Sequence, residues 1–388
     1  MRIRAIVTAL ALVAVTLLTA GCSSTGGGAA PAAATATAAP AAPDSPRTFR
    51  YFVYVANTNS NNVSAYAMDE GSGRLTPVTG SPFPAGTGPR GVAADPLGKF
   101  VYVANYGSND VSAYRIDARS GALTELDGSP FAAAAGPWHL AADPSGKTIF
   151  VTNYGADRLS AYAIDAASGA LTAVRGSPFA AGSSPAGVAL DQTGGFLCVA
   201  NNGSRDVSTY AISSSGGAAK VVRGAAVVAG VYPAGVAVDP KGKFVYVTNN
   251  GSASISAFSI GAGTGALAAV RGSPFATGSS PWDIAAEPTG RFVYAANATS
   301  ATVTSYAINA ATGALTVVGG SPFPAESSPR GIAVDPTGKY VYVANYGSNN
   351  VSAYVIDPGS GALSSVDGSP FPAGARPVCV AVAAVPVR

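Results

Sequence analysis

The stretch Pro329 to Asp357, PRGIAVDPTGKYVYVANYGSNNVSAYVID, decides the fold, because the chain repeats it with small changes. Its centre, YVAN or a variant, ends at Asn57, Asn105, Asn153, Asn201, Asn249, Asn297 and Asn345, each 48 residues after the one before. A fixed period of that length marks a repeat architecture. Within one copy the runs GVAVD, FVYVAN and NVSAYVID are rich in β-branched and aromatic residues, and Gly, Pro, Asp or Asn bounds each. Such runs read as short strands between tight turns. DPxGK places Pro at the second turn position and Gly where a positive φ is needed, and DxxSGAL supplies another turn. Four antiparallel strands per copy follow.

FVYVAN does not alternate apolar with polar residues, so both faces of its strand are expected to be buried. A sheet covered on both sides and repeated seven times needs neighbours stacked face to face. Closing that stack predicts an all-β, seven-bladed β-propeller. The ends of the chain agree. RYFVYVAN (50–57) enters as a second strand, and PVCVAVAAV (377–385) aligns with a first strand, Pro377 lying 288 residues, six periods, after Pro89. The C-terminal strand therefore closes the first blade and leaves no open edge between first and last. A β-helix would want a shorter period, and WD and kelch signatures are absent.

The N-terminus, MRIRAIVTALALVAVTLLTAGCSS, has two arginines, an apolar run too short to span a bilayer, and small residues ending at Cys22. Residues 1–21 read as a signal peptide, and LTAGC resembles the bacterial lipobox, which implies lipid on Cys22 and a membrane partner for the chain. Residues 22–49, rich in Ala, Pro, Gly, Ser and Thr, read as a flexible tether, leaving 50–388 for the propeller. The expected location is the cell envelope, facing outside the cytoplasm. Removing Arg2 and Arg4 leaves 21 Lys plus Arg against 20 Asp plus Glu, a net charge of +1. No basic stripe argues for nucleic acid. One histidine and no cysteine pair exclude a zinc site of ordinary spacing, and no cofactor is implied. Cys198 and Cys379 fall on opposite sides of the ring and are expected to be buried and free; a monomer is expected.

At this point the resemblance is plain. YVAN, YVTN at 246–249 and the stretch quoted first resemble the YVTN-repeat β-propellers, a group overlapping the seven-bladed lactonase fold of the 6-phosphogluconolactonase type. The resemblance covers residues 50–383.

Function is sought where the copies disagree, since equivalent positions of a closed ring share one height and radius. The two residues after the repeated proline top each innermost strand. They read Arg90-Gly91, Trp138-His139, Ala186-Gly187, Ala234-Gly235, Trp282-Asp283, Arg330-Gly331 and Val378-Cys379. The pair carries the lone histidine, both tryptophans, an aspartate and two arginines. Just upstream, Glu326, Arg376 and Tyr232 replace small residues. Arg90, Trp138, His139, Trp282, Asp283, Arg330 and Arg376 are the expected ligand-binding set, arginines pairing with an anion and indoles stacking on a ring. The asparagine of YVAN occurs in every copy and is expected to bond loop backbone. Asp95, Asp143, Asp191, Asp239 and Asp335 are turn caps, and the Tyr66, Tyr114 and Tyr162 column packs between blades.

Two functions fit. One is a membrane-tethered binding module taking a protein, glycan or small anionic ligand at the mouth of the channel. The alternative, implied by the resemblance, is a lactone hydrolase with His139, Asp283 or Glu326 as base and Arg90 or Arg330 stabilising the oxyanion. Family lactonases carry further histidines and acids where this chain has Gly91, Gly187, Gly235 and Gly331, and on that ground the binding module is preferred.

Overall fold

The computed structural model describes residues 48–212, 219–221 and 226–387. The expected signal peptide, the lipidation site Cys22 and residues 22–47 of the expected tether lie outside the described residues; Phe49, assigned to the tether, already starts a strand.

Seven antiparallel sheets form, one for each repeat. Blade two is typical. Pro89–Ala94 is innermost, followed outward by Phe100–Asn105, Asp110–Ile116 and Leu123–Glu125. The segment read from sequence as one outer strand, SGALTxVxGSPF, divides: a two-residue piece, Phe131–Ala132, returns to pair with the start of the third strand. The serine of SPF explains that return. Ser129 Oγ accepts the Ala113 N–H at 3.0 Å, a donor the fourth strand has left behind, and Ser81 does the same for Ala65 at 2.9 Å.

FVYVAN is buried along its whole length, as its lack of alternation predicts. Aromatic side chains of the second and third strands clasp both neighbours. Tyr102 Oη donates to Gly169 O of the next blade at 2.9 Å, whereas Tyr162 Oη donates to Ala132 O of the preceding blade at 2.8 Å. Each fully buried ring contributes roughly 1.5–3 kcal/mol, and its hydrogen bond about 1 kcal/mol more. The same clasp crosses the chain ends: Tyr342 of blade seven donates to Gly73 O of blade one at 2.8 Å. Blade one itself is closed by Pro377–Pro386 pairing antiparallel with Phe49–Asn57.

The aspartates cap turns. Asp95 Oδ1 accepts the N–H groups of Lys99 and Phe100, both at 2.6 Å, and Glu287 takes this part in blade six. The YVAN asparagines bond side chains of the third strand: Asn105 Nδ2 donates to Asp110 Oδ1 at 2.7 Å and Ser112 Oγ at 2.8 Å. The expected bond to loop backbone is also made, Asn249 Oδ1 accepting the Gly230 N–H at 2.9 Å. Cys198 and Cys379 are buried and free.

Candidate functional site

The mouth is built by a register slip. In blade three Pro137 faces Asn153, but His139 faces Thr152, so Trp138 is an extra residue in the ladder. Blades two, six and seven slip at the same place, making Arg90, Trp282 and Arg330 the bulged residues. A bulge kinks its strand and re-aims the side chains beside it. Bulged side chains and their successors thereby share one cavity of about 450 Å³, lined by Arg90, Trp138, His139, Trp282, Asp283 and Arg330 together with Cys379.

Aromatic rings and guanidinium groups interleave at its opening. Trp138 and Trp282 meet nearly parallel, centroids 6.3 Å apart. The Arg90 guanidinium lies 4.3 Å from the Trp138 ring centroid, and that of Arg330 lies 4.7 Å from Trp282 and 3.5 Å from Tyr346. No carboxylate pairs with either arginine: among the described residues the ion pairs are Arg74 with Asp367 and Lys339 with Glu70, away from the mouth. Nε of both Arg90 and Arg330 is buried without a hydrogen-bond partner. Burial lowers the pKa of each; at Arg330, Tyr346 opposes this while Arg90 and Arg376 push it down further. Two desolvated cations with spare donors form a site for an anion or a developing oxyanion.

Beneath them lie the titratable groups. Asp283 Oδ1 accepts the Ile284 N–H at 2.9 Å, and its Oδ2 accepts the Ile332 N–H of the next blade at 3.2 Å. Burial raises its pKa to about 6, outweighing those two bonds. His139 is lowered to about 4 by burial, so its imidazole is neutral at physiological pH. Both side chains keep some free surface, which opens onto the narrow bore rather than bulk solvent. His139 Nε2 lies 3.9 Å from Cys379 Sγ, and Nδ1 is buried without a partner. Cys379 is pushed up to about 12 by burial and then by Asp283, so it stays a thiol and is no nucleophile.

The glycines alternating with these groups are steric necessities. A Cβ on Gly235 would come within 2.6 Å of Asp283 Cα, and one on Gly331 within 2.6 Å of Cys379 Cα. Adjacent innermost strands touch here, which leaves no room for further acids or histidines at Gly235 or Gly331.

Two expected residues stand apart from the cavity. Glu326 is exposed and absent from its lining, a correction to the expectation of a candidate base: it belongs to the loop before Pro329, where the chain has not yet turned toward the axis. Arg376 is exposed at the upper rim, outside the lining, donating to Tyr346 Oη at 2.6 Å. Sequence reasoning missed Cys379 as the neighbour of His139 and missed the ring of residues following YVAN, where Tyr106, Tyr154 and Tyr346 stand among smaller residues. It also missed Thr152, which accepts the His139 N–H at 3.1 Å and donates to Ala186 O at 2.6 Å. Alignment of these columns carries the signal, since Thr152 and Thr248 stand where the other copies have alanine. Among the described residues no cluster of three His, Cys, Asp or Glu side chains gathers around a metal position.

Comparison with known proteins places this geometry. Segments 50–137, 83–231, 140–327 and 322–382 match the family model described as Lactonase, 7-bladed beta-propeller. No curated protein sequence matches. Among solved structures, a candidate 6-phosphogluconolactonase from Bacteroides fragilis superposes with a TM-score of 0.74 at 23% identity, covering 86% of this chain and 98% of its own. The periplasmic gluconolactonase of Pseudomonas aeruginosa superposes with a TM-score of 0.71 at 21% identity, over 87% of this chain and 99% of its own. A Lactobacillus plantarum protein gives 0.73 at 21% identity, over 86% and 99%. Identities this low speak for the fold alone, but the family model spans the ring from the second strand of blade one to its closing strand: the chain belongs to the lactonase family of seven-bladed β-propellers.

Proposed function

We propose that the protein is a lactone hydrolase that opens a sugar lactone at the mouth of its propeller. One observation carries this reading: in a lactonase-family ring, a carboxylate with a pKa near 6 shares a cavity with two guanidinium groups that no carboxylate neutralises. The binding module preferred on sequence alone would use the same mouth. Family membership, and glycines that Gly235 and Gly331 show to be demanded by packing, turn the preference to hydrolysis.

In this reading Asp283 is the base. Its two backbone hydrogen bonds fix its plane, and its pKa keeps it ionised at neutral pH yet basic enough to take a proton from water. The water's oxygen bonds to the lactone carbonyl carbon while the carbonyl electrons move onto oxygen, where Arg90 or Arg330 meets the charge. Collapse of the tetrahedral species breaks the ring C–O bond. The departing oxygen takes the proton that Asp283 received from water, and the new carboxylic acid gives its own proton to solvent, so that the hydroxy acid leaves as its anion. His139, neutral and with Nδ1 unpartnered, orients the water or a substrate hydroxyl rather than acting as an acid.

The test is lactone opening by the purified full chain, with gluconolactone and its 6-phosphate as substrates, read by hydroxy-acid release at constant pH. Turnover above the spontaneous rate is expected, falling by about 10²-fold or more in Asp283→Asn. A wild-type rate equal to the spontaneous one for both lactones, and for disaccharide aldonolactones as well, overturns the reading.

We also propose that the protein works in the cell envelope, held through lipid on Cys22. The lipobox-like LTAGC supports this, as does a structural neighbour described as periplasmic. Cys22→Ala is expected to move the protein from the membrane fraction to the soluble one; an unchanged distribution refutes the anchor.

A further inference from the structure

We propose that a second cavity beside the first takes a neutral saccharide ring, so that the lactone opened here carries a further sugar unit; the substrate part of this rests on the hydrolase reading. The cavity, of about 590 Å³, shares Trp138 and Trp282 with the first and continues past them to Tyr154, Tyr232, Asn202 and Asn250. The indole pair thus divides the mouth in two. On one side stand Arg330 and Tyr346, Arg376, then Arg90 and Tyr106, from blades seven, one and two. On the other, from blades three to six, no charged side chain lines the wall.

The residue before the repeated proline makes the same division. In all seven copies it has left-handed backbone, with glycine or serine in five of them: Gly88, Gly136, Ser184, Ser280 and Ser328. The two large side chains are Arg376 and Tyr232, at φ 56° and 54°. A bulky residue there costs free energy that glycine would spare. Arg376 donates to Tyr346 Oη at 2.6 Å and the Arg205 guanidinium lies 5.6 Å from the Tyr232 ring centroid, but neither contact buries its side chain: Arg376 is exposed and Tyr232 is 48% exposed. Each instead matches its sector, a cation among arginines and a ring among rings and amides. That pattern suits a ligand with one anionic or lactone end and one neutral end.

The neutral end is a saccharide by its chemistry. Asn202 Nδ2 donates to Pro233 O at 3.1 Å and Asn250 Nδ2 to Pro281 O at 3.4 Å, so both amides are held in place by the next blade and offer hydrogen-bonding groups to hydroxyls. Aromatic walls take the C–H faces of a pyranose. A flat aromatic ligand fits less well. It needs a slot of roughly 7 Å between parallel rings, twice the van der Waals contact distance, whereas Trp138 and Tyr154 are already stacked at 4.6 Å and the indoles stand 6.3 Å apart.

The test compares kcat/KM for gluconolactone with that for maltobionolactone and cellobionolactone, in the wild type, Tyr232→Ala, Tyr232→Phe and Asn202→Ala. At least one disaccharide lactone is expected to be preferred by about tenfold or more. Tyr232→Ala should erase that preference and Tyr232→Phe should keep it. Equal or better use of gluconolactone, or a preference that survives both alanine changes, overturns the proposal while leaving the hydrolase reading intact. If no lactone is opened, titration of tryptophan fluorescence with maltose and cellobiose decides. Saturable quenching lost in Tyr232→Ala retains the saccharide cavity without the hydrolase, and no quenching overturns the cavity as well.

Discussion

Asp283 and His139 show how one enclosure moves two groups in opposite senses. Burial disfavours charge on both, raising the carboxyl to about 6 and lowering the imidazole to about 4. If Asp283 is the base, kcat/KM for lactone opening should rise about tenfold per pH unit below 6 and level off above it, and Asp283→Asn should remove that limb. Stability follows the same shifts. The raised pKa of Asp283 means that its contribution is full below about 4, the ordinary carboxyl value, and is lost as pH rises through 6. The depressed pKa of His139 means that its contribution is full above 6.5 and is lost as pH falls through 4. Within that window the two offset each other, and single variants unmask them. Asp283→Asn should gain on the wild type by about 1–2 kcal/mol between pH 4 and pH 7 in urea unfolding; the figure is reduced because one edge of the carboxyl meets the bore. The Cys379 thiol, held near 12, takes no part in either titration. At this scale the sequence told part of the story. Departures from a strict repeat pointed to the histidine, the tryptophans and the two arginines of the cavity, because a ring converts repeat position into place. The same logic misdirected Glu326, since alignment gives height along a loop but not the direction of a side chain.

The innermost strand is the element on which the site depends. Its bulge puts one extra residue between the paired proline and the rest of the ladder, and its glycines let neighbouring strands touch. Neither was legible beforehand: hydrophobic pattern locates a strand, whereas a one-residue slip depends on the partner it pairs with. Gly235→Ala should therefore cost about 1–3 kcal/mol through overpacking, and it should displace Asp283, so that lactone opening falls further than stability does. Thermal unfolding beside kcat/KM separates the two effects. Thr152→Ala restores the residue most copies carry. It should cost about 1 kcal/mol, the worth of its hydrogen bonds to His139 N–H and Ala186 O, and raise KM more than it lowers kcat if Thr152 only positions.

The whole ring was the most legible level, since seven copies at one spacing and a split first blade leave few other arrangements. Its stability rests on contacts across the blade boundaries: tyrosine hydroxyls reach forward and back between blades two and three and between seven and one, whereas Cys198 and Phe258 leave the boundary between four and five to apolar packing. Such a structure lacks a natural end. Removing residues 375–388 takes away the strand paired with Phe49–Asn57 and exposes a second strand rich in Val and Tyr as an edge. That truncation should abolish the cooperative unfolding transition and bring oligomers into size-exclusion chromatography.

Closure has one more consequence. Asn57 pairs with Pro377 at the mouth, while Phe49 pairs with Pro386 at the other end of the same two strands, so the polypeptide both enters and leaves the ring on the floor of the cylinder. An attachment made upstream of Phe49, whether to a bead, a fusion partner or a lipid, starts from that floor. The cavity at the mouth lies at the opposite end of those strands, so an attachment at the floor does not occupy it.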